Sequence, residues 1–91
     1  MKSPLAWTAR ADAHIARHGV TRIEVEQAIE RSFYFRKAGG RRTILGRTAS
    51  RVLFLVVEDS REVPGFAEVV TARDATLAEK RLLERRGKGL R

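Results

Sequence analysis

The chain has no cysteine, and none of its 11 acidic residues lies between Arg31 and Val57. The missing thiols exclude disulfides, thiolate metal sites and thiol catalysis, which fits a reducing compartment. No apolar run approaches the roughly 18 residues that cross a bilayer. The start, Met-Lys-Ser-Pro-Leu-Ala-Trp, lacks the apolar core of a signal peptide. A cytoplasmic protein with no membrane segment is expected. Linkers and repeats are absent too, so 91 residues read as a single domain, with an ordered core over about 5–86 and a basic tail at 87–91. A chain this short buries only about 60–65 % of its unfolded surface, which makes a dimer or hetero-oligomer a natural expectation.

The charge that is present is unevenly placed. Residues 1–30 hold four basic and four acidic side chains, and residues 58–91 hold eight and seven. Between them, Arg31, Arg36, Lys37, Arg41, Arg42, Arg47 and Arg51 stand unopposed, so nearly all of the net +8 sits in one segment. That segment reads as strands, which displays the charge on a sheet. A cationic sheet suits a polyanion. An anionic membrane usually recruits a basic helix or tail instead. Nucleic acid is therefore the expected partner, against the plainer reading of a solvated arginine-rich surface.

Hydrophobic spacing predicts a helix from Trp7 to Arg17, with Ala11, His14, Ile15 and His18 on one face and Gly19 at its end. Thr21 and Glu24 form a Thr-x-x-Glu capping box for a second helix that fades near Arg31. Val20 and Val25 are placed for a hydrophobic staple, and Ile23, Ala28 and Ile29 continue the expected buried face. Four strands follow: Phe33–Lys37, Arg41–Thr48, Arg51–Glu58 and Phe66–Arg73. Turns fall at Ala38-Gly39-Gly40 and Thr48-Ala49-Ser50, and a polar loop at Asp59–Gly65. Val52–Val57 is apolar on both faces, the pattern of a central strand covered on both sides, one by helices and the other by a partner chain. Thr76 to Glu79 repeats the capping-box pattern and opens a last helix to about Arg86. The fold expected is α+β: two N-terminal helices, a four-stranded mainly antiparallel sheet, and a C-terminal helix.

Four short motifs stand in order along this chain: Arg17-His18-Gly19-Val20; Gly46-Arg47-Thr48 followed by Arg51-Val52-Leu53-Phe54; Thr71-Ala72-Arg73-Asp74-Ala75-Thr76; and Glu79-Lys80-Arg81. Together with Trp7 they resemble the BrnT family of toxins from type II toxin–antitoxin systems, or a closely similar uncharacterised family. The resemblance covers Trp7 to about Glu84. It implies a RelE-like fold, ribonuclease activity, neutralisation by a cognate antitoxin encoded nearby, and no metal or organic cofactor. The chain departs from the family pattern at Thr8, Arg10 and Leu83, and in the spacing from Trp7 to His18. These departures motivate an alternative: a non-catalytic RNA- or protein-binding module of the same fold.

RNA can be cut without a metal when a base takes the ribose 2′-hydroxyl proton and fixed cations hold the phosphate. Arginine suits the second task because it stays charged and its planar fork matches two phosphate oxygens. Arg47 and Arg51 flank a tight reversal and Arg73 closes the last strand before a helix start, so these three are the expected phosphate clamp. Their plainer role is to deter aggregation at strand edges. His18 and Glu79 are candidate bases. The plainer role of His18 is to serve the end of its helix, and that of Glu79 is to complete a capping box. Arg36, Lys37, Arg41, Arg42 and Arg81 are expected to touch the RNA backbone, with Tyr34 stacking on a base. His14 and His18 have the spacing for a shared metal, but no third ligand is evident. Ser50 has no adjacent base, and Gly39-Gly40 lacks the remainder of a phosphate loop.

Overall fold

The computed structural model describes residues 4–82. The expected α+β layout is the one observed. Helices α1 (Ala9–Ala16) and α2 (Arg22–Glu30) precede strands β1 (Ser32–Ala38), β2 (Arg41–Arg47), β3 (Val52–Asp59) and β4 (Ala67–Asp74). A last helix, α3, begins at residue 77 and is described to residue 82. Its expected continuation to about Arg86, the basic tail and Leu83 lie outside the described residues. The sheet is an antiparallel meander in the order β1-β2-β3-β4.

Local chemistry fixes the helix ends. The Thr8 hydroxyl accepts from the Ala11 N–H at 3.1 Å and caps α1, which is why this helix starts two residues after Trp7. At its far end the Val20 N–H reaches the Ile15 carbonyl and the Gly19 N–H reaches that of Ala16, both at 3.1 Å. This paired closure needs a left-handed residue, supplied by Gly19 at φ 67°. The Thr21–Glu24 capping box forms in both directions. Val20 and Val25 are both buried in the same core, as the staple requires. Ile23 corrects the expected face. It is 67 % exposed, because two helical steps carry it roughly 200° around the axis from Val25.

The register divides the sheet into two faces. Ile44, Leu53, Leu55, Val57, Val69 and Ala72 meet Ile15, Val25 and Ala28 of the helices and Val20 of the turn between them. Gly46 lies on this face where α2 crosses β2. A Cβ there would sit 1.8 Å from the Ala28 carbonyl oxygen, so the strand and helix approach this closely only through glycine. The opposite face carries Tyr34, Leu45, Phe54, Val56 and Arg73, matched across the strands. Leu45 at 1 % and Val56 at 8 % exposure are already buried within the chain, so their burial calls for no partner chain.

Two connections have an evident cause. Ala38 pairs with Arg41 across the Gly39-Gly40 turn, with Gly39 at φ 61°, the left-handed geometry that tight hairpins favour. The β2–β3 turn is closed by buried Thr48, whose hydroxyl accepts from the Ser50 and Arg51 N–H groups and donates to the Arg51 carbonyl. One pairing has no counterpart in the sequence reading. The segment before α1 runs beside β4, with the Ala6 N–H on the Ala67 carbonyl (2.8 Å) and the Ala67 N–H on that of Pro4 (2.9 Å). Trp7 follows, and the Arg22 guanidinium lies 5.3 Å from its ring centroid. Among the described residues no helix is long and apolar enough to cross a membrane.

Candidate nucleic-acid interface

The expected three-arginine clamp does not assemble. Arg47 pairs with Val52 and Arg73 with Phe54, which puts both on the face opposite the helices. Strand spacing sets their Cα atoms about 12 Å apart. Arg51 precedes β3 and turns the other way. Its guanidinium donates to Glu24 at 2.7 and 2.9 Å, to the Gly19 carbonyl at 2.9 Å and to Asp74 at 3.3 Å. Glu24 is already oriented by the capping box, so Arg51 finds a fixed acceptor at the start of α2. The Arg51 bond, followed by those to Thr21, holds the Glu24 carboxyl below its ordinary range despite partial burial. Arg51 is therefore a pin between the helical hairpin and the sheet, its guanidinium committed to acceptors of the chain itself.

Arg73 is engaged as well. It lies 4.0 Å from the Phe54 ring centroid and donates to both Glu79 oxygens, at 3.0 and 3.1 Å. Glu79 accepts from the Thr76 N–H at 2.8 Å and its own N–H donates to the Thr76 hydroxyl. The second capping box thus forms, and Glu79 has the structural role weighed for it. The Arg73 bond depresses its carboxyl most, so it is ionised at neutral pH. His18 lies exposed in the turn after α1, and no described residue hydrogen-bonds its ring.

Of the expected backbone contacts, Arg36 and Lys37 are exposed on β1 and Arg81 on α3. Tyr34 is half-buried beside Leu45. Arg41 is held by Glu58 at 2.7 Å. Arg42 is not at the surface. It lies on the helix side of β2, 8 % exposed, and reaches Asp59 at 2.8 Å. The strand parity that exposes Arg41 turns Arg42 inward.

One cluster remains. The Arg47 N–H meets the Arg31 carbonyl at 3.4 Å where α2 passes into β1. Arg31 and Arg47, with Ser32, Phe33 and Thr48, line an open cleft with no acidic side chain in its wall. Both arginines are exposed and neither forms an ion pair among the described residues. Arg31 belongs to the unopposed basic segment, but no local pattern in the sequence marks it as a site residue. Only the β1–β2 register brings it to Arg47.

A second hollow lies among Arg10, His14, Glu58, Asp59, Arg61, Glu68 and Val70. Its chemistry is of mixed sign. Glu68, 4 % exposed, accepts from Ser60 and from Thr8, with Arg10 at 3.7 Å. These bonds, that of Ser60 first, hold its carboxyl below the ordinary value. The result ties the β3–β4 loop to the cap of α1. Among the described residues no three His, Cys, Asp or Glu side chains gather as a metal would need. The chain matches no protein-family model, no curated protein and no solved structure.

Proposed function

We propose that the protein binds single-stranded RNA at the Arg31–Arg47 cleft, as the non-catalytic form of the toxin-like fold its motifs resemble. The observation that carries this reading is two guanidinium groups, without an ion pair among the described residues, lining one cleft with half-buried Phe33 in a wall without carboxylates. Guanidinium forks hold phosphate oxygens, and an aromatic beside a basic groove offers a stacking surface to an unpaired base. Exposed Arg36 and Lys37 extend the cationic rim along β1. Fluorescence anisotropy with a labelled oligoribonucleotide tests it. Arg31→Ala with Arg47→Ala lowers affinity at least tenfold and reduces the slope of log K against log salt by roughly 1.4, at about 0.7 per lost contact. An unchanged affinity and slope refute the site.

A second reading is favoured by the Arg73–Glu79 pair. It is a metal-independent endoribonuclease toxin, acting in the cytoplasm and neutralised by an acidic cognate antitoxin. Arg73 and Arg47 share one face, and Glu79 carries an ionised carboxylate against Arg73. In that role Glu79 accepts the 2′-hydroxyl proton, the 2′-oxygen attacks phosphorus, the 5′-oxygen departs and takes up a proton from water, and the arginines hold the phosphate charge. Induced expression then arrests growth, the neighbouring open reading frame rescues it, and Arg73→Ala abolishes it. Toxicity that survives both Arg73→Ala and Arg47→Ala eliminates this reading.

A further inference from the structure

The two edges of the sheet are treated differently. The β4 edge is met at Ala67 by the chain's own residues 4–6, which make one parallel bridge to it. Among the described residues the β1 edge has no such cover. β1 ends the strand order, and no described residue hydrogen-bonds the outer backbone of residues 33–38. In an antiparallel pair every second residue aims its N–H and C=O away from its neighbour, so β1 presents a row of free donors and acceptors.

The side chains on this edge select what can pair with it. Phe35 is 49 % exposed on the face shared with Ile44. Arg36 and Lys37 follow, both exposed, and neither has an ion pair among the described residues. A second copy joining through β1 sets these cations against its own, and like charges opposite one another destabilise a strand pair. A strand bearing glutamate or aspartate opposite them gains from the same contacts. A nucleic acid satisfies the charges but has no ladder of amides for the backbone row.

We propose that β1 is a docking edge for an extended acidic segment of a partner protein, which adds to the sheet as a further strand beside Tyr34–Ala38. Main-chain bonds supply the attachment, Phe35 takes an apolar side chain, and Arg36 and Lys37 take carboxylates. This inference does not require RNA binding at the Arg31–Arg47 cleft, although Arg36 and Lys37 border both surfaces.

The probe is an acetylated, amidated seven-residue peptide centred on Glu-Glu-Val, titrated into isotope-labelled protein. In antiparallel pairing this order sets the glutamates opposite Lys37 and Arg36 and the valine opposite Phe35. Backbone amide shifts concentrate at residues 33–38. Two N-methylated versions of the peptide divide backbone pairing from charge attraction. Methylating the alternate amides that face β1 abolishes binding, and methylating the other set leaves it within about twofold. Arg36→Glu with Lys37→Glu weakens the parent peptide at least tenfold, while Arg31→Ala with Arg47→Ala leaves it unchanged. The proposal is overturned if the peptide fails to bind, if both methylated peptides bind alike, or if the shifts fall elsewhere. Light scattering that finds a dimer with protected β1 amides also overturns it.

Discussion

Arg51 gathers Glu24, the Gly19 carbonyl and Asp74 around one guanidinium, and so joins three separate parts of the chain. Removing it leaves a partly buried carboxylate and a helix-end carbonyl without their donor. Arg51→Ala is expected to cost about 2 kcal/mol of stability, the range for hydrogen bonds to charged groups, read as a lowered urea midpoint at unchanged m value. RNA binding at the cleft stays the same, because Arg51 faces away from it. The Thr21–Glu24 box that prepares this acceptor was visible in the sequence, since its spacing is local. Its union with Arg51 was not, because it closes over 27 positions and depends on which way the β2–β3 turn throws the side chain. Arg42 shows the same limit. Its neighbour Arg41 has the same charge in the same strand, and only parity separates a surface cation from a buried one.

At the scale of elements, the sequence disclosed all three helices, all four strands and the central place of β3, because capping residues and hydrophobic period are written within each element. It did not disclose the residue 4–6 pairing with β4, which uses main-chain groups and leaves no side-chain pattern. The site was half legible. Charge asymmetry pointed to β1 and β2, yet the choice of Arg31 over Arg51 required the register. Gly46 belongs to this scale as well. It stood in a family-like tripeptide, and the structure supplies the reason: α2 rests on β2 at this point. Gly46→Ala forces backbone away from backbone, which a rotamer change cannot relieve. The expected loss is about 3 kcal/mol, at the upper end for overpacking, with a fall in thermal midpoint as the measure. Gly40→Ala, which meets open space, serves as the control and is expected to be far milder.

Across the whole molecule, carboxylates act as fasteners. Glu24 fastens α2 to Arg51, Glu79 fastens α3 to Arg73, and Glu68 fastens a loop to Thr8. All three are held below the ordinary glutamate value of about 4.5. A carboxyl whose folded value is depressed contributes its full stabilisation above the unfolded value, and loses it as pH falls through the folded one. Unfolding free energy should therefore be nearly level in this respect from pH 7 to about 5, then decline as pH drops below about 4.5. Glu24→Gln is expected to flatten that decline, measured by denaturant titration at each pH. A decline of equal steepness in this variant would remove Glu24 from the account.

Trp7 gives these linkages an optical readout. It is the sole tryptophan of the chain, and it sits at the seam where the segment preceding α1, the Arg22 guanidinium and the apolar interior come together. Lifting the helical hairpin off the sheet would bare the indole to water and move its emission to longer wavelength. The molecule thus carries its own fluorophore at the joint that Arg51 secures, and loosening of that joint can be followed without attaching a dye.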